Sequence, residues 1–328
     1  EEEGVTDYRV LLVQFLDEAR EQGASKDKQW IEAEGKTLIK GLVSVYKDLA
    51  ANSDKTLCLE CMVAVCSLAR ECTAFLIENE NMRLFLEEMT TISDKDREGE
   101  EKKALVLIVF LVDLAVFVGS RKAASSCKQA ECFGANAVAS FPRILDMLDS
   151  ENEDIVRGVI SLTVNIFHCL FVWKEKLEAS VSTSQLKNAL LGHRNGTFFG
   201  ETLLQILNSH EADQDETTRM LVAVHCLLRS ESNDVSQRSI IFFDSDLPIL
   251  VTVSLRLLSN DADEMNQTLL MKILSELMSI EIINNNQMMC EEISLTVNNM
   301  LDSSSISSQV KKQAEDFMTD FIHVLDRP

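Results

Sequence analysis

Proline, glycine and aromatic residues are scarce in this sequence. Its 328 residues include only 3 Pro and 11 Gly, and 6% of the side chains are aromatic. A β-sheet protein needs many turns that contain Gly or Pro, so this composition argues against a sheet fold. Leu, Ile, Val, Ala, Met, Glu and Ser dominate instead, which is typical of helices joined by short polar loops.

Positive charge is also scarce. The sequence has 31 Lys and Arg against 53 Asp and Glu, and its net charge is −22. A protein that binds nucleic acid needs a basic face to replace counterions, and binding to anionic lipid needs the same, so we expect neither partner and no membrane insertion. A partner protein with a basic surface would suit this acidic chain.

No targeting segment is recognisable. The sequence begins Glu1-Glu2-Glu3, the wrong charge for a secretory or mitochondrial leader. The longest apolar run, 104–118, has only about 15 residues and is interrupted by Asp113, so we expect a buried helix there and not a membrane span. Nine cysteines at irregular spacing indicate reduced, buried thiols. We therefore expect a cytoplasmic protein.

The sequence contains no clear motif for catalysis, a metal or a cofactor. Cys58 and Cys61 form a CxxC pair, but zinc would need a second ligand pair, and the nearest histidine in sequence is His168. On a helix the two cysteines share a face, which favours a core role over a metal or redox site. The evenly spaced glycines in 192–200 lack the GKS or GKT of a phosphate loop. We expect no enzyme, no metal and no cofactor; an enzyme that uses the cysteine pair is the alternative.

Methionines are concentrated towards the C-terminus. Such residues fill irregular gaps in a core, and they also form adaptable grooves for partner helices. Both interpretations apply to these six: Met265, Met271, Met278, Met288, Met289 and Met300.

Apolar residues recur at helical spacing along the whole chain. The pattern predicts about fourteen to sixteen helices, and no segment has the period of a strand. We expect the charge run Ser93 to Lys103 to be a solvated loop. A helix is expected from Ala135, after a stretch of polar and small residues, with a kink or restart at Pro142.

The helices recur in pairs about 35 to 50 residues apart, as in helical-repeat proteins. We therefore expect an all-α fold: one elongated domain over 1–328 that forms a right-handed α-solenoid of armadillo or HEAT-like repeats. The N-terminal half would span 1–154. The C-terminal half, 155–328, would carry the groove that binds a partner.

Residues 239–260 are the most informative stretch. An apolar run ends at Phe243, a polar break follows, and an amphipathic helix then extends to about Leu258. We expect the Asp246 carboxylate to accept hydrogen bonds from the amides of the first helical turn. Pro248 lies in that turn, where its missing N–H costs nothing.

Two blocks of the sequence resemble the WISH/DIP family, the Nck-interacting proteins with an SH3 domain and their fungal relatives. The first block contains His193-Arg194-Asn195, then Phe199 and a Leu-rich helix that ends in Asn208. The second is similar to the family's I-F-Y-x-x-D stretch and the helix after it: Ile241-Phe242-Phe243, Asp246, Leu250, Val253 and Arg256. The resemblance covers about 155–321. Thr252 departs from it, because the family usually has Asp there.

The resemblance implies a function as well as an armadillo fold. Family members bind and activate the Arp 2/3 complex without a preformed mother filament, and the product is a linear actin filament that seeds branched networks. A groove in the C-terminal half would hold a long helix of one clamp subunit, so actin would be an indirect partner. The protein would then lie at the actin cortex or in endocytic actin patches.

Five residues are the candidates for partner contact. They are His193, Asn195, Phe243, Asp246 and Arg256. Each has a structural alternative, since Phe243 could belong to the core, Asp246 could serve only as a cap, and Arg256 could form an internal salt bridge. No SH3 domain is present in this sequence, and a homodimer is an open question. The alternative function is another cytosolic helical-repeat adaptor, or a chaperone cofactor, that binds a partner helix.

Overall fold

The structure is a computed structural model that describes residues 27–49, 52–68, 70–77, 80–89, 97–120, 127–174, 181–209, 212–229, 241–260, 263–303 and 306–325, together with residues 13 and 177. Of these described residues, 87% are helical and none lies in a strand. The predicted all-α class is therefore confirmed.

The chain divides into two compact units, Glu1–Gln185 and Leu186–Pro328. The predicted division into the halves 1–154 and 155–328 stays a prediction.

The described part of unit 1 contains seven helices and one 3₁₀ turn. In chain order they are α1 (Asp27–Asp48), α2 (Asn52–Leu68), α3 (Arg70–Ile77), α4 (Glu80–Met89), α5 (Arg97–Gly119), α6 (Cys127–Asp146), the 3₁₀ turn Met147–Asp149, and α7 (Glu153–Trp173). Helix α5 lies between α2 and α7 and packs against both, while α1 packs on α2 and α6 packs on α4 and α7.

Helices α5 and α7 run in the same direction. The Trp173 indole N–H donates to the carbonyl oxygen of Val118, 2.8 Å away, at the C-terminal ends of the two helices. Nearer their N-terminal ends, a Cβ added at Gly158 would lie 2.7 Å from Ile108 Cγ2. Because parallel neighbours about 50 residues apart are typical of stacked helix pairs, this arrangement agrees with the spacing read from the sequence.

Helix α7 is long and apolar enough to cross a membrane by length and composition, the one such helix among the residues described. Its apolar residues include Ile160, Phe167 and Leu170, and all three are buried within the protein. A core helix passes the same test of length and composition, and burial of this kind is the mark of a core helix.

Unit 2 contains α8 (Thr183–Leu191), which begins at the boundary between the units, and seven further helices in its described residues. These are α9 (Gly196–Asn208), α10 (Gln214–Leu228), α11 (Asp246–Asn260), α12 (Glu264–Met278), α13 (Glu281–Asn284), α14 (Gln287–Asp302) and α15 (Ser308–Leu325). Helix α9 packs on α11 and α11 on α14, while α10 packs on α12 and α12 on α15.

Corresponding helices of unit 2 also begin in the same way. The side chain of Asp213 accepts from the Glu216 amide before α10, and that of Asp263 accepts from the Asn266 amide before α12. The two caps are 263 − 213 = 50 residues apart, and both helices have 15 residues. Each cap satisfies an amide that has no partner within the helix, which explains why the polar breaks in the sequence start helices.

Side-chain hydrogen bonds join the successive second helices, α10, α12 and α15. Thr218 Oγ1 on α10 lies 2.7 Å from Asn266 Oδ1 on α12 and donates to it. Ser307 Oγ, just before α15, donates over 2.7 Å to Glu264 Oε1 at the start of α12. The same ends of these helices are therefore adjacent in each case.

The prediction of a solvated loop over Ser93 to Lys103 is wrong where the structure describes it. Residues 97–103 form the first two turns of α5. Lys103 is buried, with its Nζ 2.8 Å from Glu88 Oε1, and Lys55 Nζ lies 3.0 Å from the same carboxylate oxygen. The charges are paired across α2, α4 and α5, and one-dimensional sequence does not reveal such pairing.

The predicted start of a helix at Ala135 is also wrong, because α6 begins at Cys127 and includes Gly134 and Pro142. Val181 Cγ1 and Leu170 Cδ2 lie only 2.5 and 2.7 Å from the position that a Cβ of Gly134 would occupy. This close packing requires glycine and offsets its low helix propensity.

Candidate functional site

The five predicted contact residues lie on two neighbouring helices of unit 2 or in the turns just before them. Helices α9 and α11 are parallel, since Gly200 in the first turns of α9 contacts Ile241 before α11, and Asn208 at the end of α9 contacts Arg256. His193, Asn195, Phe243 and Asp246 therefore belong to the N-terminal ends of the two helices. Arg256 lies ten residues after Asp246, about 15 Å along the helix, towards the other end.

Gly200 allows the two N-terminal ends to approach. A Cβ at this position would lie 2.8 Å from Ile241 Cγ2 and 3.0 Å from the backbone oxygen of Ile241. Ile241 and Phe242 are buried, and they hold the segment before α11 against α9. Close packing against Ile241 therefore explains the glycine at position 200.

His193 and Asn195 form the turn that precedes α9. The Asn195 amide donates to His193 Nδ1 over 3.2 Å, and the Asn195 carbonyl accepts from the Phe199 amide over 2.9 Å. Asn195 is only 9% exposed, whereas His193 is half-buried. Of these two residues, His193 has the more accessible side chain.

Phe243 is 47% exposed, so the structure places it at the surface and not in the core. Its carbonyl accepts from the amides of Asp246 and Leu247, 2.9 and 3.3 Å away. Asp246 Oδ2 accepts from the Phe243 amide over 3.1 Å. Asp246 therefore reaches back to the residue that begins the turn, as the acidic member of a capping box does, and does not accept from the first-turn amides as predicted.

Arg256 contacts the C-terminal end of α9. Its Nη1 donates to Asn208 Oδ1 over 2.9 Å, and its Nη2 lies 3.5 Å from the carbonyl oxygen of Leu207. A cation at a helix C-terminus complements the partial negative charge of the terminal carbonyls. The internal alternative for Arg256 thus has direct support, although these partners are an amide and a carbonyl in place of a carboxylate. Contact with a partner stays a prediction.

A cleft of about 830 Å³ opens between the segment before α11 and the segment before α14. Asp244 lines it from the α11 side. Glu281, Ile282 and Met288 line it from the α14 side. Met288 is 80% exposed, the largest exposed fraction among the large apolar side chains that the structure describes.

Exposed apolar side chains recur at the N-terminal ends of α9, α11 and α14. This set, which we call the N-end surface, is Phe198, Phe243, Ile249, Ile282 and Met288. Isolated exposed apolar residues are ordinary, but two of these five, Ile282 and Met288, lie together in the cleft, and contiguous apolar surface is typical of interaction sites. With Asp244 and Glu281 beside it, the N-end surface suits the apolar face of a helix that also carries basic residues.

Sequence reasoning could not identify Glu281 and Ile282, and it could identify Met288 only in part. Ile282 and Glu281 fall in a short connecting segment, whose only distinctive feature in the sequence is the run Asn284-Asn285-Asn286 that follows them. Met288 belonged to a group with two open interpretations, and the structure divides that group. Met271, Met278 and Met300 are buried as core residues, whereas Met288 lines the cleft.

Cys58 and Cys61 are both buried. Cys58 Sγ donates to the carbonyl oxygen of Leu42 over 3.2 Å, and burial raises the pKa of its thiol to about 12. Such a thiol stays protonated at neutral pH and is a poor nucleophile or ligand, which supports the core interpretation. No cluster of three or more His, Cys, Asp or Glu side chains with the geometry of a metal site occurs in the described segments.

Comparison with known proteins adds nothing to the all-α class that the fold defines. No protein-family model matches the sequence, and no curated protein matches it. A solved structure described as the crystal structure of an engineered protein is similar over 96% of this chain and 95% of its own, with 12% identity and a TM-score of 0.27. A likeness at this level carries no argument about fold or function.

Proposed function

We propose that this protein is a non-enzymatic activator of the Arp 2/3 complex, and that it promotes nucleation of linear actin filaments without a preformed mother filament. The observation that carries the proposal is the resemblance of 193–208 and 241–256 to the WISH/DIP family, together with the position of these two blocks in space. The blocks are 48 residues apart in sequence, and they form neighbouring parallel helices. Asp244 of the second block lines an open cleft.

We infer that the helix pairs form an α-solenoid of the armadillo or HEAT kind. Three observations support this inference in unit 2: the corresponding helices pack in order, two of them begin with caps 50 residues apart, and hydrogen bonds join the same ends of successive helices. A solenoid presents one surface over several repeats, which is suited to a long partner helix.

The partner in this proposal is a long helix of a clamp subunit of the Arp 2/3 complex. Its apolar residues would lie against Phe243, Ile282 and Met288, and its basic residues would face Asp244 and Glu281. A protein can activate the complex only if it binds the active arrangement more tightly than the inactive one. A tenfold difference in affinity corresponds to about 1.4 kcal/mol, which a few well-placed apolar contacts supply.

Site-directed variants of the N-end surface test the proposal in a pyrene-actin assay with the Arp 2/3 complex and no preformed filaments. We expect Phe243→Asp and Met288→Asp each to weaken binding to the complex on the order of tenfold, because each places a charge in an apolar contact. Ile322→Asp is the control, since Ile322 is an apolar residue of unit 2 that is 54% exposed, close to the 47% of Phe243, and lies outside the N-end surface.

The outcomes separate the candidate functions. Acceleration that is lost in the two variants and kept in the control supports the proposal. Acceleration that survives both variants moves the contact away from this surface. A wild-type chain that leaves actin polymerisation at the background rate removes the activator function, and the alternative of a different helical adaptor then applies.

A further inference from the structure

Helix α5 of unit 1 has an apolar face that the neighbouring described helices cover only in part. The residues of this face are Leu105, Val106, Val109, Val112 and Val116. Val109 is 52% exposed and Val116 is 36% exposed. These two are seven residues apart, two helical turns, so they lie one above the other at the centre of the face.

A helix that is apolar on all sides is expected to be covered on all sides. The opposite side of α5 meets this expectation, because Leu107, Leu111 and Leu114 are buried where α2 and α7 pack. The valine face does not meet it. Contiguous apolar surface of this kind marks a site of association with another molecule.

One carboxylate interrupts the valine face. Asp113 is four residues from Val109 and three from Val116, so it lies beside both on the same side of the helix. In the described part of the chain, no lysine or arginine lies within ion-pair distance of Asp113. The Asp113 side chain is exposed, and its partial desolvation raises the pKa of the carboxyl group.

The lysine at the N-terminal end of this face is already paired within the unit. Lys102 lies 3.2 Å from Glu60 of α2. The valine face therefore presents the Asp113 carboxylate near its centre, without a basic residue beside it among the described residues. A cation from a partner would compensate this charge, whereas an apolar partner without one would bury it at a cost.

We propose that the valine face of α5 binds an amphipathic helix of another protein that carries one lysine or arginine in the middle of its apolar side. This site is separate from the N-end surface, and it does not depend on the proposed action on the Arp 2/3 complex. A second copy of this chain is the poorer occupant. Pairing of two α5 faces about a two-fold axis near Val109 and Val116 would bring two Asp113 carboxylates close together.

Helical peptides of about 20 residues provide the probe, since that length forms several turns and matches α5. One peptide carries leucines at i, i+3, i+4 and i+7 spacing with a central lysine, and its pair has glutamate in place of the lysine. Binding to the full chain is measured by fluorescence anisotropy. We expect the lysine peptide to bind wild-type protein about tenfold more tightly than the glutamate peptide.

Substitutions in α5 then test whether Asp113 and Val109 cause the tighter binding of the lysine peptide. Asp113→Lys should reverse the order of the two peptides, and Asp113→Asn should make their affinities equal. Val109→Glu should weaken both peptides about tenfold, with Val109→Gln as a milder variant if the first melts early. Ile322→Glu in unit 2 is the control and should leave both affinities unchanged.

Three results would overturn the proposal. The first is that the lysine peptide fails to bind the folded wild-type chain. The second is that wild type and Asp113→Lys show the same order of affinities. The third is that wild type is a dimer by light scattering and Val109→Glu is a monomer, because a second copy then covers the face. Actin assembly in the presence of Val109→Glu and the Arp 2/3 complex is expected to match wild type, so failure here is distinguishable from failure of the proposed function.

Discussion

Replacing Gly200 with alanine tests the packing that forms the N-end surface. Gly200 lies inside α9, where alanine is ordinarily better than glycine by about 1 kcal/mol. The added Cβ would however lie 2.8 Å from Ile241 Cγ2 and 3.0 Å from the Ile241 backbone oxygen. Real Cβ atoms do not come so close, so the segment before α11 must move.

The expected magnitude follows from two opposing effects. Overpacking of this kind costs about 1 to 3 kcal/mol, and the gain in helix propensity offsets about 1 kcal/mol of it. We therefore expect Gly200→Ala to lower the free energy of unfolding by about 1 kcal/mol. Phe243 and Asp244 belong to the displaced segment, so stimulation of actin assembly should fall as well.

Gly41 offers a matched control in α1. A Cβ at Gly41 would meet no atom within 4 Å, and the residue is exposed. Gly41→Ala should therefore raise stability by up to about 1 kcal/mol, a shift in melting temperature of about 2 to 4 °C upwards. Circular-dichroism melts of the two variants check both signs. If Gly200→Ala stabilises the protein as Gly41→Ala does, the close approach of α9 to residue 241 is refuted.

Two further predictions concern charged side chains. Burial alone would raise the pKa of Glu88, but hydrogen bonds from Lys103 and Lys55 hold this pKa below its ordinary value of 4.5. The Glu88 carboxylate therefore stabilises the protein above about pH 4.5, and this stabilisation is lost as the pH falls further. Glu88→Gln should cost about 2 kcal/mol at pH 7, because buried Lys103 loses its nearer carboxylate, 2.8 Å away, and keeps Glu100 at 3.5 Å. Urea titrations from pH 7 to pH 3 should show a smaller decline in stability than in wild type, and an unchanged decline would contradict the pairing. Arg256→Ala should lower the free energy of unfolding by about 1 kcal/mol, because it removes the hydrogen bonds to Asn208 and Leu207. Arg256→Lys should recover part of this loss in thermal melts. An unaltered melt for Arg256→Ala would show that the internal contact contributes nothing.

Arg256 is a poor position for a functional test because of its internal contacts. A charge reversal there would disturb the end of α9 as well as any partner. Phe243 and Met288 are better positions for a functional test, since both side chains are exposed and their removal leaves the described hydrogen bonds intact. Loss of binding in Arg256→Glu alone would therefore not assign the site.

Local signals in the sequence were sufficient for the helical class and for the polar breaks at which several helices begin. Asp213, Asp263 and Asn286 fall in polar breaks, and each caps the helix that follows, because a capping interaction spans only three residues. Contacts between distant helices were not predictable in the same way. Lys103 looked solvated in a charge run, and only its distance of 2.8 Å from Glu88 reveals why it is buried.

The same distinction between local signals and contacts of distant helices applies to the candidate site. Phe243 and Asp246 were found because they lie in a distinctive block, but the direction of the Asp246 hydrogen bond depends on the backbone turn at Phe243. Glu281 and Ile282 were missed because their proximity to Asp244 arises from the packing of α11 on α14. A one-dimensional pattern contains no information about that packing.

Fluorescence microscopy of single actin filaments tests the proposed function most directly. The chain, the Arp 2/3 complex and monomeric actin are mixed without preformed filaments, and new filaments are counted. We predict many more filaments than with the Arp 2/3 complex alone, each of them unbranched at its origin, and a return towards background with Met288→Asp. A wild-type chain that leaves the number of filaments at background would contradict the proposed function.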